Sequence, residues 1–456
     1  MSEMPSVKTW SSHYLFLLAS IGSTVGLSNI WKFTYLAGEN GGGAFVLIYL
    51  ISLLVMGIPI LGAELMIGRR GGRSIVGTLQ VLVKKEGISP AWQYFGWVAM
   101  IGVFLILSFY CVIAGMTLDY TITSLGGMLN DLDSTRAVDY YDHILSSPGR
   151  MMFSQGVFIA ANVWIVAKGI QDGLEKSIGW MTPALFIILV ALVVYAMFTG
   201  EFVKALEFLF APDFSKITPT VVLAAFGQAF FSLGIGVGVM LTYGAYMPRT
   251  SSILRSATII SFSDGLASLL AGLAIFPIVF QYGLSPAEGP GLIFMTLPIA
   301  FGQMPGGGII GSLFFLLLVF AALTSSISLL ESIISHLEEI TRIGRKKLTI
   351  VAGVLLWLVG LGTVFSFNLW KNFTPLDMIR PLEGKTIFGL IDYFGSNMLM
   401  PVGGILMAVI GGWIISAQSS RDELKEHDER IFVVWRFLVR YVAPGTVLAI
   451  FISNLK

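Results

Sequence analysis

Apolar residues occur along this chain in long runs that are separated by short polar stretches. Eleven of the runs reach the roughly 20 residues that an α-helix needs to cross a lipid bilayer, and we number them segments 1 to 11. Their approximate bounds are 13–37, 42–68, 92–125, 152–168, 177–199, 219–246, 252–282, 309–340, 348–368, 386–416 and 431–453. The pattern predicts an all-α polytopic membrane protein in which residues 1–456 form a single integral domain.

The composition supports a bilayer as the main solvent of this chain. Hydrophobic residues make up 55% of the sequence and charged residues only 12%, whereas a soluble protein carries roughly a quarter charged residues. The net charge is +1 and there is no basic groove with interleaved aromatics, so we expect no nucleic-acid partner. Cys111 is the single cysteine, which excludes a disulfide framework. The polar start and the long first run argue against a cleavable signal peptide.

Lysine and arginine are distributed unevenly between the two sets of loops. If the N-terminus is cytoplasmic, the inside loops hold about twice as many of these residues as the outside loops. Positive charge concentrates in cytoplasmic loops of membrane proteins. We therefore expect a multi-pass protein of the cytoplasmic (inner) membrane, with the N-terminus in the cytoplasm and the C-terminus outside.

Segments 1 and 6 contain glycines that predict local breaks in the helix. Residues 22–29 read GSTVGLSN and residues 232–238 read SLGIGVG, and each such glycine disfavours helix by about 1 kcal/mol relative to alanine. The breaks occupy corresponding places in segments 1–5 and 6–10, a pattern typical of inverted repeats with a site at their interface. The repeats would cover about 10–200 and 218–416, with an extra helix at 431–453. Close packing of helices through small residues explains the glycines equally well.

Polar groups lie beside these breaks and within other spans. The set comprises Asn29, Ser232, Asp264, Thr324 and Ser325. A charge near the bilayer centre costs at least about 2.5 kcal/mol, so Asp264 should face a partner or a pathway. Oxygen ligands of this kind suit a small hard cation. Isolated hydroxyls in helices often bond to their own backbone instead, which is the alternative for Thr324 and Ser325.

Several motifs carry a specific resemblance to a known family. They are GSTVGLSNIWKF at 22–33, ENGGGAF at 39–45, GIP at 57–59 with Glu64 and Gly68-Arg69, GQAFFS at 227–232 and LTSS at 323–326. In these residues the chain resembles the neurotransmitter:sodium symporter family, in its bacterial amino-acid transporter branch. Similar members carry leucine, tyrosine or several hydrophobic amino acids, and some have eleven spans. The resemblance implies inverted five-helix repeats, centred on broken segments 1 and 6, plus an eleventh helix.

The resemblance also implies two sodium sites. Site one would use the backbone carbonyl of Thr24 with Asn29, Ser232 and Asp264, together with the carboxylate of the substrate. Site two would use the carbonyls of Gly22, Val25 and Ala321 with the hydroxyls of Thr324 and Ser325. Two sodium ions would then be cargo, and no organic cofactor is expected.

An amino-acid substrate would lie between the two breaks. Its carboxylate would meet Gly26, Tyr110 and amides near Leu27 and Ser28. The carbonyls near its ammonium group would be those of Ser23, Thr24, Phe231 and Ser232. The pocket would be lined by Ile106, Tyr110, Phe231, Gly234, Val237, Ser325 and Leu329.

Two features of the pocket bear on substrate and ion selectivity. Monoamine carriers of the family have aspartate at Gly26, so glycine favours a substrate with its own carboxylate. Gly234 and Val237 are small, which favours a large apolar or aromatic side chain on a neutral amino acid. Animal relatives have asparagine at Asp264 and bind chloride through groups that match Tyr49, Gln228, Ser232 and Ser268. A fixed carboxylate there predicts transport without chloride.

Candidate gates lie at both ends of the site. Lys32 and Asp392 could pair on the outside above Tyr110 and Phe231, while Trp10, Lys8, Tyr246 and Glu339 could close the cytoplasmic side. Relatives carry arginine at Lys32, which makes a two-pronged contact that lysine cannot. They usually have glycine at Ser28 and proline at Thr34. These departures leave the strength of the outer gate open.

Other functions remain compatible with the pattern. A sensor that binds an amino acid without transporting it could use the same fold, as could a carrier of a different small solute. No motif of a membrane-embedded enzyme such as GxSxG or HExxH occurs on a span, so we expect no enzymatic activity. The sequence does not define the oligomeric state.

Overall fold

The computed structural model describes residues 9–127, 129, 132–287, 289, 291–425 and 428–455. Over these residues the chain is helical without a β-strand, which confirms the all-α prediction. Nine of the predicted segments are continuous helices. They span Gly43–Gly71, Pro90–Leu125, Pro148–Val166, Ile170–Thr199, Ile253–Gln281, Gly307–Ile340, Arg345–Ser366, Ile387–Ile414 and Glu429–Asn454.

Within the described ranges, eight helices are long and apolar enough to cross a membrane, or nine if the bent pair in segment 1 is one span. The two other predicted segments fall outside this count. Segment 4 carries Arg150, Gln155 and Asn162 in a helix of 19 residues. Segment 6 is divided into two short helices.

Segment 1 is broken where its glycines predict. Its halves are His13–Thr24 and Ser28–Glu39, which meet at an angle of 51°. Val25 follows the first half with extended backbone (φ −75°, ψ 95°). The carbonyls at the end of the first half and the amides at the start of the second therefore lack helical partners.

Segment 6 is broken in the same way. Its halves are Pro219–Ser232 and Val239–Ala245. Between them Gly234, Gly236 and Gly238 adopt positive φ angles of 61°, 89° and 75°. Only glycine takes such angles without a steric cost, so these glycines produce the break.

The broken part of segment 6 packs directly against segment 10. A Cβ atom on Gly236 would lie 2.2 Å from the Met400 carbonyl oxygen, and one on Gly403 would lie 2.0 Å from the Gly236 oxygen. On the other side, the Gly236 N–H donates to Glu64 Oε1 at 2.7 Å. The segment 6 break is therefore held between the Glu64 side chain of segment 2 and the backbone of segment 10.

Shorter helices in the connections were not predicted, because they are brief and partly polar. They are Ile75–Glu86, Ser134–Ser146, Phe202–Phe210, Leu292–Gln303 and Ala417–Leu424. We call Leu292–Gln303 the covering helix. Its Phe294 ring contacts Trp31 at 5.8 Å between centroids, and the Phe294 carbonyl accepts a 2.8 Å hydrogen bond from the Tyr120 hydroxyl. The covering helix thus packs over the ends of segments 1 and 3.

Candidate functional site

The carboxylate of Asp264 connects four segments in the interior. Its Oδ1 accepts a hydrogen bond from Asn29 Nδ2 at 2.8 Å, and its Oδ2 accepts from Ser232 Oγ at 2.8 Å and from the Tyr49 hydroxyl at 3.0 Å. Asp264 is completely buried. A buried carboxylate is tolerated only when donors satisfy it, and here segments 1, 2 and 6 supply them.

Asn29 links this carboxylate to the break in segment 1. Its Nδ2 also donates to Ser268 Oγ at 3.0 Å, while its Oδ1 accepts from the Gly26 N–H at 3.0 Å. Gln228 Nε2 donates to the Ser28 carbonyl at 2.9 Å, which connects the two broken segments. Of the residues predicted for sodium site one, Asn29, Ser232 and Asp264 are therefore in direct contact.

Thr24, the fourth predicted member of site one, is buried at the end of the first half of segment 1. Its Oγ1 donates to the Ile21 carbonyl at 3.1 Å. The side chain is thus occupied by its own helix. The resemblance assigns the ion contact to the Thr24 carbonyl, which lies at the end of this half-helix.

The residues predicted for site two bring segment 1 against segment 8. A Cβ atom on Gly22 would lie 3.3 Å from Thr324 Cβ, so the two backbones are close. Thr324 Oγ1 donates to the Phe320 carbonyl at 3.0 Å, and Ser325 Oγ donates to the Ala321 carbonyl at 3.1 Å. Both hydroxyls therefore bond to their own helix, as the alternative reading of the sequence allows, while they also face segment 1. Val25, which follows the first half of segment 1, is fully buried.

Gly26 lies in contact with two of the predicted substrate residues. A Cβ atom at this position would be 2.7 Å from Ser325 Oγ and 3.3 Å from the Tyr110 hydroxyl. The Tyr110 hydroxyl oxygen is buried and makes no hydrogen bond with the described residues. A buried hydroxyl without a partner is costly, so it is available to a ligand at this place.

Space is present at Gly234. A Cβ atom built there would have no heavy atom within 4 Å. The other predicted lining and backbone residues, Ser23, Leu27, Ser28, Ile106, Phe231, Val237 and Leu329, are buried or half-buried. The region between the two breaks is thus enclosed and has room beside segment 6.

The predicted outer pair of Lys32 and Asp392 does not form among the described residues. Lys32 Nζ lies 3.9 Å from the centre of the Phe231 ring, and Asp392 accepts from Ser396 Oγ at 2.8 Å. An ammonium over an aromatic face gains a cation–π interaction, which here takes the place of the ion pair. Lys32 lines a cavity of about 310 Å³ that also includes Gln228 and Asn397.

The cytoplasmic candidates Trp10 and Tyr246 are in contact. The Trp10 N–H donates to the Tyr246 carbonyl at 3.1 Å, and the Trp10 side chain is buried. The Tyr246 hydroxyl donates to Glu331 Oε1 at 3.1 Å, and Arg345 forms an ion pair with the same glutamate. Lys8 lies outside the described residues.

Glu339 pairs with Arg73, which is not among the predicted gate residues. Arg73 Nη1 lies 2.9 Å from Glu339 Oε1, and the Ser74 N–H donates to Glu339 Oε2 at 3.1 Å. These contacts join segment 8 to the loop after segment 2. Glu331 could have been selected from the sequence, because a charge within an apolar run needs a partner. Nothing in the sequence pattern marks Arg345, the partner of Glu331, or Arg73, the partner of Glu339.

Known proteins are similar to this chain along most of its length. The model of the Sodium:neurotransmitter symporter family matches residues 7–135 and 134–456. The uncharacterized sodium-dependent transporter YhdH of Bacillus subtilis is 37% identical, over 99% of this chain and 98% of the relative. An uncharacterized sodium-dependent transporter of Haemophilus influenzae is 35% identical over 98% of both chains. The sodium-dependent dopamine transporter of Bos taurus is 25% identical over all of this chain and 70% of the relative.

A solved structure also matches nearly the whole chain. The crystal structure of MhsT in complex with L-phenylalanine superimposes with a TM-score of 0.88, at 37% sequence identity, over 98% of this chain and 100% of that chain. This match confirms the predicted fold. The chain belongs to the sodium:neurotransmitter symporter family and is a sodium-dependent membrane transporter.

Proposed function

We propose that this protein is a symporter that couples sodium to the uptake of a large apolar or aromatic neutral amino acid, independently of chloride. The observation that carries the proposal is the meeting of both helix breaks at Asn29, Ser232 and Asp264. Half-helix ends and freed carbonyls at such breaks hold anions and cations respectively.

The first sodium ion would bind at the carboxylate of Asp264. The Asn29 side chain would rotate so that its amide oxygen faces the ion, because at present its Nδ2 donates to the carboxylate. Ser232 Oγ, which already contacts Asp264, and the Thr24 carbonyl would complete the protein ligands. All of these are hard oxygen donors, which sodium prefers over nitrogen or sulfur.

The second sodium ion would lie between segments 1 and 8. The Gly22, Val25 and Ala321 carbonyls and the Thr324 and Ser325 hydroxyls supply its ligands in this proposal. Both hydroxyls donate to carbonyls of their own helix. Each oxygen keeps a lone pair for a cation while it donates its hydrogen.

The substrate would complete site one through its own carboxylate. Gly26 has no side chain, so the substrate carboxylate would approach its backbone beside Ser325 and Tyr110. The Tyr110 hydroxyl, which has no partner among the described residues, would donate to that carboxylate. The empty space at Gly234 would accept a large side chain. The bound L-phenylalanine in MhsT supports this choice.

Independence from chloride follows from the charge of Asp264. The Tyr49 hydroxyl, which by resemblance would bind chloride, here donates to Asp264 Oδ2 at 3.0 Å. An anion at this place would face a buried carboxylate and would be repelled. The fixed charge would balance the sodium ion instead.

Transport would proceed by alternating access between the two repeats, about 10–200 and 218–416. Segments 1, 2, 6 and 7 share the Asp264 contacts and would move together against the rest. Ion and substrate raise the affinity for each other because they share a ligand. The contacts of Trp10, Tyr246 and Glu339 would close the cytoplasmic side, with the N-terminus inside and the C-terminus outside the inner membrane.

Uptake into proteoliposomes tests this proposal. An inward sodium gradient should drive accumulation of radiolabelled phenylalanine, with large apolar and aromatic amino acids as the strongest competitors and no loss when gluconate replaces chloride. Sodium-dependent binding without accumulation would instead indicate an amino-acid sensor. Competition by none of the standard amino acids would contradict the substrate class.

A further inference from the structure

Two arginines lie within the membrane-spanning helix of segment 11. The helix Glu429–Asn454 has 26 residues, and about 20 residues suffice to cross a bilayer. Arg436 and Arg440 lie about 10 and 16 Å along its axis from Glu429, so both are inside the span. Only 28% of the most apolar stretch of this helix is buried in the protein. Charged side chains in such a place are costly and normally have a partner.

Protein groups satisfy only part of the two guanidinium groups. Arg436 donates from Nη1 to Ser420 Oγ and from Nη2 to the Ile415 carbonyl, both at 3.2 Å. Arg440 Nε donates to the Gly412 carbonyl at 2.6 Å. A guanidinium group has five N–H donors, so most of the donors of this pair have no partner among the described residues.

The positive charges of the pair are not balanced within the described part of the chain. All of the acceptors named above are neutral, and Glu429 at the start of the helix forms its ion pair with Arg421 at 2.9 Å. Arg421 adds a third cation nearby, because Arg421 and Arg436 both contact the Phe432 ring, at 4.6 and 5.9 Å from its centre. An anion is therefore the partner that this part of the helix lacks.

The two side chains point toward the membrane surface at which segment 11 begins. Cα–Cβ bonds of an α-helix tilt toward its N-terminus, and Ser420 and Ile415, the partners of Arg436, lie in the connection between segments 10 and 11. Long arginine side chains can extend from inside a bilayer to its headgroups. Residues four apart share one face of a helix, which brings Arg436 and Arg440 within reach of one phosphate group.

Exposed aromatic rings surround this pair of arginines. Trp413, Phe437 and Tyr441 are 51%, 55% and 51% exposed. The Trp413 ring centre lies 4.9 Å from Arg440 Cζ, and the Tyr441 ring lies 5.4 Å from that of Trp413 and 5.5 Å from that of Phe437. Tryptophan and tyrosine are enriched where lipid headgroups meet acyl chains. The surroundings thus suit a molecule with a phosphate group and an apolar tail.

We propose that Arg436 and Arg440 bind an anionic phospholipid beside segments 10 and 11. Its phosphate would accept hydrogen bonds from the remaining guanidinium N–H groups, and one acyl chain would lie along Phe437 and Tyr441. An anionic lipid fits better than a zwitterionic one, because the cationic headgroup of the latter offsets its phosphate charge. Basic residues near a membrane surface attract anionic lipids in this way.

Native mass spectrometry of the detergent-purified chain tests the site by titration with phosphatidylglycerol and with phosphatidylcholine of the same acyl chains. The wild type should bind phosphatidylglycerol more tightly. Arg436→Gln and Arg440→Gln should each lower the affinity for phosphatidylglycerol by about fivefold, whereas Arg440→Lys, which keeps the charge, should retain most of it. Arg342→Gln removes the same charge from an exposed position after segment 8 and should bind as the wild type does.

A second measurement uses the wild type alone and so does not depend on the folding of any variant. Phosphatidylglycerol should slow amide hydrogen exchange in residues 415–425, which adjoin the arginines, more than phosphatidylcholine does. The variants are compared with the wild type at an unchanged thermal unfolding midpoint in lipid-free detergent.

Three results would overturn the proposal. Equal binding of the two lipids by the wild type would remove the role of the anionic charge. Full affinity in both glutamine variants at 436 and 440 would place the lipid elsewhere. Inorganic phosphate that displaces phosphatidylglycerol at equal concentration would assign the arginines to a free ion. A preference for phosphatidylglycerol that falls in Arg436→Gln and Arg440→Gln, and not in Arg342→Gln, would support it.

Discussion

Glu175 holds Ser11, just before the first helix of segment 1, through both of its carboxylate oxygens. Oε1 accepts from the Ser11 N–H at 2.6 Å and Oε2 accepts from Ser11 Oγ at 2.7 Å. Glu175 is buried and belongs to segment 5. Gln171 adds a contact from the same segment, because its Nε2 donates to the Thr9 carbonyl at 3.3 Å. Segment 5 therefore clamps the part of segment 1 that must move if the cytoplasmic side opens.

Glu175→Gln should loosen this clamp. A glutamine offers one acceptor oxygen, so one of the two Ser11 hydrogen bonds is lost at a cost of about 1.5–3 kcal/mol for a charged acceptor. We expect faster amide hydrogen exchange in residues 13–24, measured by mass spectrometry. Lys176→Gln, which removes an exposed ion pair with Asp172, is the control and should leave exchange in segment 1 unchanged. Equal exchange in all three proteins would contradict the clamp.

Asp264→Asn should make transport depend on chloride. The variant removes the negative charge while Asn29, Ser232 and Tyr49 keep groups that can bond to an amide. Without chloride we expect sodium-driven uptake to fall by about tenfold or more, because charge-assisted hydrogen bonds worth ~1.5–3 kcal/mol are lost.

Chloride should restore part of the activity of Asp264→Asn and leave the wild type unaffected. The comparison uses the same vesicles in chloride and in gluconate. If the variant were equally active in both buffers, Asp264 would not act in place of an anion.

Gly26→Ala should weaken substrate binding. The added methyl group would lie 2.7 Å from Ser325 Oγ and 3.3 Å from the Tyr110 hydroxyl. Overpacking of this kind costs about 1–3 kcal/mol, or roughly 5- to 150-fold in affinity. Equilibrium binding of labelled phenylalanine in sodium measures the effect. Gly227→Ala, whose methyl would lie 3.9 Å from Ile450, is the control. Unchanged binding in Gly26→Ala would place the substrate elsewhere.

Gly234→Asn should shift selectivity toward smaller substrates. Asparagine tolerates the positive φ of Gly234, and the space around this residue is free. The new side chain fills the volume that a large substrate would use, so phenylalanine should compete less well relative to alanine by about tenfold, the effect of a few methylene groups. An unchanged ratio would show that the free space is not part of the pocket.

Hydrophobic runs and glycine positions were sufficient to predict most of the fold. The break of segment 1 falls at Val25 and that of segment 6 between Ser232 and Val239, because glycine acts locally on the backbone. Asp264 could be selected for a similar reason, since a charge within a span needs partners. The two breaks depend on residues that are neighbours in the sequence, and the need of Asp264 for partners depends on the bilayer alone.

The partners of the gate residues could not be predicted in the same way. Arg73 lies close to Glu339 only because a loop and segment 8 meet in three dimensions. Lys32 lies over Phe231 instead of beside Asp392, a choice between two weak interactions that depends on the exact position of segment 6. Such choices involve energies of about 1 kcal/mol, which a sequence pattern does not resolve.

The contact of Gly236 with Gly403 and Met400 limits which residues can change when the substrate specificity of such a carrier changes. Because main-chain atoms alone form this crossing, it survives any replacement of the side chains around it. If Gly234 and Val237 line the substrate pocket as we propose, substitutions at these residues would alter which solute fits without displacing the crossing itself. The same contact leaves no room for a Cβ atom at Gly236 or Gly403, so a single methyl group at either glycine would be more damaging than several changes in the pocket.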